Sequence, residues 1–212
     1  NGDDARKKRL LPHSPSAEIS PAVAARRNLV PLVARAFRRP PGDEEIEKRV
    51  GVVTNALNDG ASWDDAMAAG LEAVLLSPHF LFRVEGRGDE KSGKHPLGAH
   101  ELAVRLSYLL WSTMPDDALR RAADDGSLLK PEVLRAQVVR MLDDRRSRAL
   151  ADDFAAQWLR FREIRDHTVD YRRFLWLDQN LRRAMYEESA HTFDAIVREN
   201  RPVTELLDAE TI

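Results

Sequence analysis

Two segments constrain this chain more than any others: residues 75–85 read LLSPHFLFRVE and residues 101–118 read ELAVRLSYLLWSTMPDDA. Each joins an apolar run of helical period to a Ser-Pro or Pro-Asp-Asp helix start. A sequence that keeps restarting helices in this way is committed to packing helix on helix. The same pattern recurs elsewhere. Ser20-Pro21 sets a capping hydroxyl before a proline at the first helical position, and Leu29, Leu32, Val33, Ala36 and Phe37 then recur at helical spacing. Pro40-Pro41 ends that helix, because the residue before a proline avoids the α region. Asp43 is expected to cap a second helix reaching about Asn58, with Glu44 and Glu45 favourable at its positive end. Ser62-Trp63-Asp64-Asp65 resembles a capping box with Asp in place of Glu or Gln. The helix it opens places Ala66, Ala69, Ala73 and Leu76 on one face.

The helix from about 98 to 112 is expected to bury Leu102, Leu106, Leu109 and Leu110. Pro115-Asp116-Asp117 begins the next, Gly126 ends it, and Pro131 starts 131–143. Around 145–161, Leu150, Phe154 and Trp158 fall at i, i+4 and i+8, a stripe that should face a core. The last long helix, about 178–199, should turn Leu181, Met185, Ser189, Thr192, Phe193 and Ile196 inward and stop at Pro202. No stretch has the period of 2 that a strand needs. The expectation is an all-α, irregular bundle of about eight helices with no sheet. Its parts are a polar arm or linker at 1–20 lying on a partner, an N-terminal helical domain at 21–85, a Gly- and charge-rich connector at 86–96, and a C-terminal helical domain at 97–212.

Composition removes several functions. There is no Cys, which excludes disulfides, thiolate catalysis, Cys-ligated zinc and covalently attached c-type haem within these residues. A net charge of −2 gives no long-range attraction to nucleic acid. No apolar run reaches the roughly 18 residues of a membrane span. Asn1 to Leu11 is charged and lacks the apolar centre of a signal peptide, and with Asn first the chain is expected to be a piece of something longer or a processed product.

Candidate chemistry is sparse. Asp-Asp pairs stand at 3–4, 64–65, 116–117, 124–125, 143–144 and 152–153. Those at 64–65, 116–117 and 143–144 fall at helix starts, where carboxylates satisfy free amides. Glu188 and His191 form a Glu-x-x-His, but a di-iron bundle needs a second copy and none is present. Glu187, His191, Asp194 and Arg198 project on one stripe suited to i, i+4 charge pairs. His79 is framed by apolar residues, as a haem ligand would be, with no second axial ligand to name. Arg105 interrupts an apolar helix, and a buried charge there needs a partner, for which Glu85, Asp116 and Glu188 are the candidates. There is no Gly-x-Ser-x-Gly elbow and no phosphate loop.

Five segments in order carry a family resemblance: 35–45 (RAFRRPPGDEE), 75–85, 101–118, 140–158 (RMLDDRRSRALADDFAAQW) and 184–193 (AMYEESAHTF). They resemble the planctomycete surface-type domains of unknown function that accompany planctomycete-type cytochrome c domains. The similarity spans about 28–209 and covers two consecutive domains, one ending near Glu85 and one from about 97 onward. The resemblance implies a periplasmic or secreted location and haem c on a partner chain or on a further domain, with no cofactor in this chain. It brings no catalytic residues with it. Two departures stand out: the CxxCH haem motifs are absent, and His191 falls where the family pattern reads apolar or variable.

The function expected is therefore a packing module that works through other domains or chains of the same larger protein and carries no catalysis itself. The alternative is a subunit of a redox or polymer-processing enzyme, with Arg105, Glu85, Glu188 and Asp116 around a helical cleft and Glu188, His191 and His79 as metal candidates.

Overall fold

The computed structural model describes residues 2–83, 85, 96–168, 170, 172–174 and 176–208. Most of the expected connector, 86–95, and the terminal residues 209–212 lie outside the described residues. The chain divides into two compact units, Asn1–Leu97 and Gly98–Ile212. Among the described residues there are helices and no strand, as the sequence predicts. No helix is long and apolar enough to cross a membrane.

Unit 1 holds α1 (Gly2–Leu10), α2 (Pro21–Phe37), α3 (Asp43–Asn58), α4 (Trp63–Leu75) and the single turn α5 (Pro78–Leu81). Helices α2, α3 and α4 close on a core of Leu29, Val33, Phe37, Ile46, Val53 and Met67. The caps follow sequence chemistry: Ser20, Ser62 and Ser77 each accept a backbone N–H of the helix they precede. Asp43 is the first helical residue of α3 rather than its cap. The cap is Gly42, whose N–H donates to Glu45 Oε2 at 2.8 Å. On α4 the buried face is Ala66, Met67, Gly70 and Val74, and Leu76 is 74 % exposed, so the expected alanine stripe is turned by about one residue. The reason is Gly70: with no side chain it admits Val53 of α3, and that close approach decides which face points inward.

Part of the tract 1–20, expected to be an arm or linker, is packed on its own unit. It is helical over α1, and Leu11 packs on the core of its own unit. Asn28, 1 % exposed, accepts the His13 N–H at 3.1 Å and donates to the His13 carbonyl at 2.7 Å. A side-chain amide that replaces a strand partner in this way leaves no periodic signal in sequence.

Glu45 also accepts both Arg39 Nη1 and Nη2, at 2.9 and 2.8 Å. The Arg39 hydrogen bonds, helped by the Gly42 N–H, pull its carboxyl from 4.5 down to about 2. Its folded pKa lies below the unfolded one, so the stabilisation is full above the unfolded value and fades as pH falls from about 4.5 to about 2. Glu45→Gln should remove about 1 kcal/mol at neutral pH and flatten that acid limb. Urea midpoints measured across the acid range check it; a limb of unchanged slope would refute the assignment.

Unit 2 runs α6 (Ala99–Trp111), α7 (Asp117–Asp124), α8 (Pro131–Asp143), a π-helical segment (Leu150–Ala155) continuing into α9 (Ala156–Trp158), α10 (Gln179–Arg198) and α11 (Glu205–Asp208). Short 3-10 turns lie at Ser127–Leu129, Arg145–Ser147 and Phe161–Arg165. One core gathers Leu110, Trp111, Leu119, Leu128 and Met141; a second gathers Ala151, Ala155, Ala156, Phe161, Tyr186 and Phe193, and Leu150 packs against both.

Three sequence expectations about buried faces hold only in part here. Of the Leu150–Phe154–Trp158 stripe only Leu150 packs on a core: Phe154 is 48 % and Trp158 57 % exposed, and alanines point inward instead. Tyr186, Phe193 and Phe161 already fill the facing volume, so close packing requires small residues opposite them. On α10 the buried face is Arg182, Tyr186, Ala190, Phe193 and Ile196, not Met185 or Ser189. Tyr186 and Arg182 bury apolar stems while their polar tips reach Asp152 Oδ1 at 2.9 Å and the Ile164 carbonyl at 2.9 Å. On α6, Leu110 is buried and Leu102 and Leu106 pack on the core as expected, but Ala103, Ser107 and Trp111 are buried too and Leu109 stands out. Hydrophobicity ranks side chains one at a time, whereas a core selects them by the space their partners leave.

Candidate functional site

The densest set of charges in unit 2 surrounds Trp111. Asp116 caps α7, and its carboxylate receives four donors: the Leu119 N–H at 3.0 Å, Arg140 at 2.8 and 3.1 Å, and Arg146 at 3.4 Å. Arg146 is also held by Asp144, at 2.7 and 2.9 Å. Both guanidinium groups lie over the Trp111 ring, Arg146 at 3.5 Å from its centroid and Arg140 at 5.4 Å. The indole Nε1–H donates to the Met141 carbonyl at 2.9 Å. Burial pushes the Asp116 carboxyl up, and the bonds from Arg140 and Leu119 outweigh it, leaving it below its usual value. Four donors fill the four lone-pair positions of a carboxylate. This Asp has neither a proton to give at neutral pH nor an oxygen left to accept one, so the cluster acts as a clasp between α7 and the end of α8.

A second network crosses from the π-helical segment to α10. Arg148 bonds Glu187 at 2.7 Å and Asp152 at 3.3 Å, and Asp152 takes the Tyr186 hydroxyl. Burial, then the bond to Asp152, pushes the Tyr186 phenol up. A phenol so held is a poor acid and an unavailable base.

Of the residues singled out from sequence, Asp116 belongs to the cluster around Trp111. Arg105 is exposed, and Asp116 is engaged by Arg140 and Arg146 instead. Glu188 is exposed on α10, and Glu85 is half-buried. His191 pairs with Glu187 at 3.8 Å, not with Glu188, and Arg198 pairs with Asp194 at 2.7 Å, the expected i, i+4 charge ladder. His79 packs against Phe37, ring centroids 5.2 Å apart and tilted by 50°, and lies 3.4 Å from Glu45 Oε1. Among the described residues no three His, Asp or Glu side chains converge as metal ligands, and no buried side-chain nitrogen or oxygen lacks a partner.

Sequence reasoning missed an amphiphilic cleft of about 470 Å³ lined by Tyr108, Leu109, Ser112, Asp153, Phe154 and Trp158. Phe154 and Trp158 stack at 5.6 Å on its wall. Ser112, the left-handed end of α6 (φ 51°), hydrogen-bonds Asp153 across it. The available signal was the i, i+4 aromatic pair itself, whose direction only packing reveals.

Neither the curated proteins nor the solved structures offer a match to this chain. Residues 24–85, the helices of unit 1 from α2 to α5, match the family model described as PSD5: Protein of unknown function (DUF1595). Unit 2 matches a second, and the two fall consecutively, as the resemblance to paired planctomycete-type domains implies. With residues 97–212, more than half of its length, matched by the model described as PSD4: Protein of unknown function (DUF1592), the chain belongs to that family.

Proposed function

We propose that this chain is a packing and interaction module of a larger extracytoplasmic, cytochrome c-associated bacterial protein, which positions a haem-bearing domain or chain and performs no catalysis itself. The observation that carries this reading is where the large apolar side chains stand. Leu75, Leu76, Leu81 and Phe82 are 50, 74, 59 and 64 % exposed around α5, and on unit 2 Trp158 and Trp176 are 57 and 66 % exposed. Burying one such side chain is worth about 1.5–3 kcal/mol, and apolar groups gathered at a surface mark interaction sites. The charged clusters support the same reading, since their members are engaged with one another. The haem is assigned to a neighbour because no Cys is present to attach it here.

The test uses natively purified material: the intact mass of every copurifying chain, elemental analysis and a visible absorption spectrum. A haem band carried by another polypeptide or domain, with this chain metal-free, is the expected result. Leu76→Ser with Phe82→Ser should weaken that association at least tenfold while the thermal midpoint stays unchanged, because both positions are already exposed. Stoichiometric iron, copper or zinc on this chain alone would overturn the proposal and make Glu188, His191 and His79 the first residues to mutate.

A further inference from the structure

In unit 1 the arginines sort into two groups. Arg26 pairs with Asp43 and Glu47, Arg39 with Glu45, Arg49 bonds Ser77 Oγ, and Arg38 bonds the carbonyls of His79, Phe80 and Phe82. Arg6 and Arg83 also have partners. The described arginines of this unit left without an ion pair or hydrogen bond at the guanidinium are Arg9, Arg27 and Arg35, and all three line one cleft. It lies between α1 and α2, measures about 650 Å³, and has no Asp or Glu among the described residues of its wall. Arg6, which has a partner, shares the wall, and the rest is Leu10, Pro12, His13, Asn28, Pro31 and Leu32.

We propose that this cleft binds a small multivalent anion carrying two or more phosphate or carboxylate groups. Arg27, Pro31 and Arg35 fall at i, i+4 and i+8 on α2, so the two arginines rise from one helix face about 12 Å apart along its axis. A single anionic group meets one of them well; two groups on one molecule meet both. Arg9 closes the site from α1. Guanidinium is the planar, permanently charged donor that pairs with carboxylate and phosphate two bonds at a time. The three arginines without a partner, with Arg6 beside them, put like charges around one cavity, and a bound polyanion relieves their repulsion. The volume falls within the range of small-ligand clefts. The anchoring of residues 11–13 through Asn28 holds α1 in place, so the cleft exists before the ligand arrives. This inference does not depend on the packing-module reading: an anion site is compatible with either outcome of that test.

Calorimetric titration of the whole chain with inorganic tripolyphosphate and with citrate, at fixed ionic strength, tests it. Saturable one-to-one binding is expected, weakened about tenfold for each guanidinium removed in Arg27→Ala and Arg35→Ala, the loss of one charge-assisted hydrogen bond. Arg9→Ala should weaken it too, and it supplies a second variant should a change on α2 disturb folding. Arg121→Ala, an exposed arginine of unit 2, should bind like the parent. No saturable binding of either anion, or binding equally strong in the Arg27 and Arg9 variants, would overturn the proposal. So would binding confined to phosphatidylserine-containing vesicles, which would make this a membrane-facing surface instead.

Discussion

Trp111→Ala should cost unit 2 about 4 kcal/mol of stability. Trp111 is 3 % exposed and sits in a core with Leu110, Leu119, Leu128 and Met141. Removing the indole opens a large cavity, and it takes away the ring on which Arg146 and Arg140 rest. It also leaves the Met141 carbonyl, now the acceptor of the Nε1–H, without that donor. The two contributions separate in Trp111→Phe, which keeps most of the apolar contact and should cost only about 1–3 kcal/mol, the penalty of one unsatisfied acceptor and a smaller ring. Urea unfolding followed by circular dichroism measures both. A loss below about 1 kcal/mol for the alanine variant would show that the clasp and core around Trp111 do not hold unit 2 together.

Gly70→Ala should cost about 2 kcal/mol, against the direction of helix propensity. Alanine in the middle of α4 would ordinarily gain about 1 kcal/mol over glycine. Here a Cβ at position 70 would lie 2.5 Å from Val53 Cγ2 and 3.9 Å from Leu29 Cδ2. Val53 is fully buried, and a valine in a helix is held to one χ1 rotamer, so its methyl has nowhere to turn. Overpacking of this kind costs about 1–3 kcal/mol. In a Val53→Ala background the clash disappears, and the same substitution should become neutral or stabilising by up to about 1 kcal/mol. Thermal midpoints of the four proteins of this cycle decide it; a Gly70→Ala single variant more stable than the parent would rule out the close approach of α3 and α4.

The same contrast shows which features were legible from sequence. The helix starts at Ser20, Ser62, Ser77 and Asp116 and the stop at Gly126 are where capping chemistry puts them. Caps are local: one hydroxyl or carboxylate satisfies amides two or three residues on, and nothing distant changes that. The α2 face of Leu29, Val33 and Phe37 was equally plain, because strongly apolar residues at helical spacing leave only one side to bury. The charge ladder on α10 needed only the helical rotation. Faces built from small residues were not legible. On α4 and in the π-helical segment, glycine and alanine face the core because Val53, Tyr186 and Phe193 fill the space from the other side. The surroundings of Arg105 were equally hard to read: its leucine neighbours left open whether it is buried, and the structure exposes both it and Leu109.

Sequence alone determined the all-α class, the positions of most helix boundaries, the exclusion of cysteine chemistry and membership of a paired-domain family. These depend on short-range capping, on backbone period and on composition, all of which are written along the chain. Tertiary structure decided the pairing of Asp116 with Arg140 and Arg146 and the outward turn of Phe154 and Trp158. It also decided the docking of His13 on Asn28 of α2 and the gathering of three unpaired arginines around one cleft. Each of these depends on the volume and charge that a distant segment brings alongside, which one-dimensional periodicity does not contain.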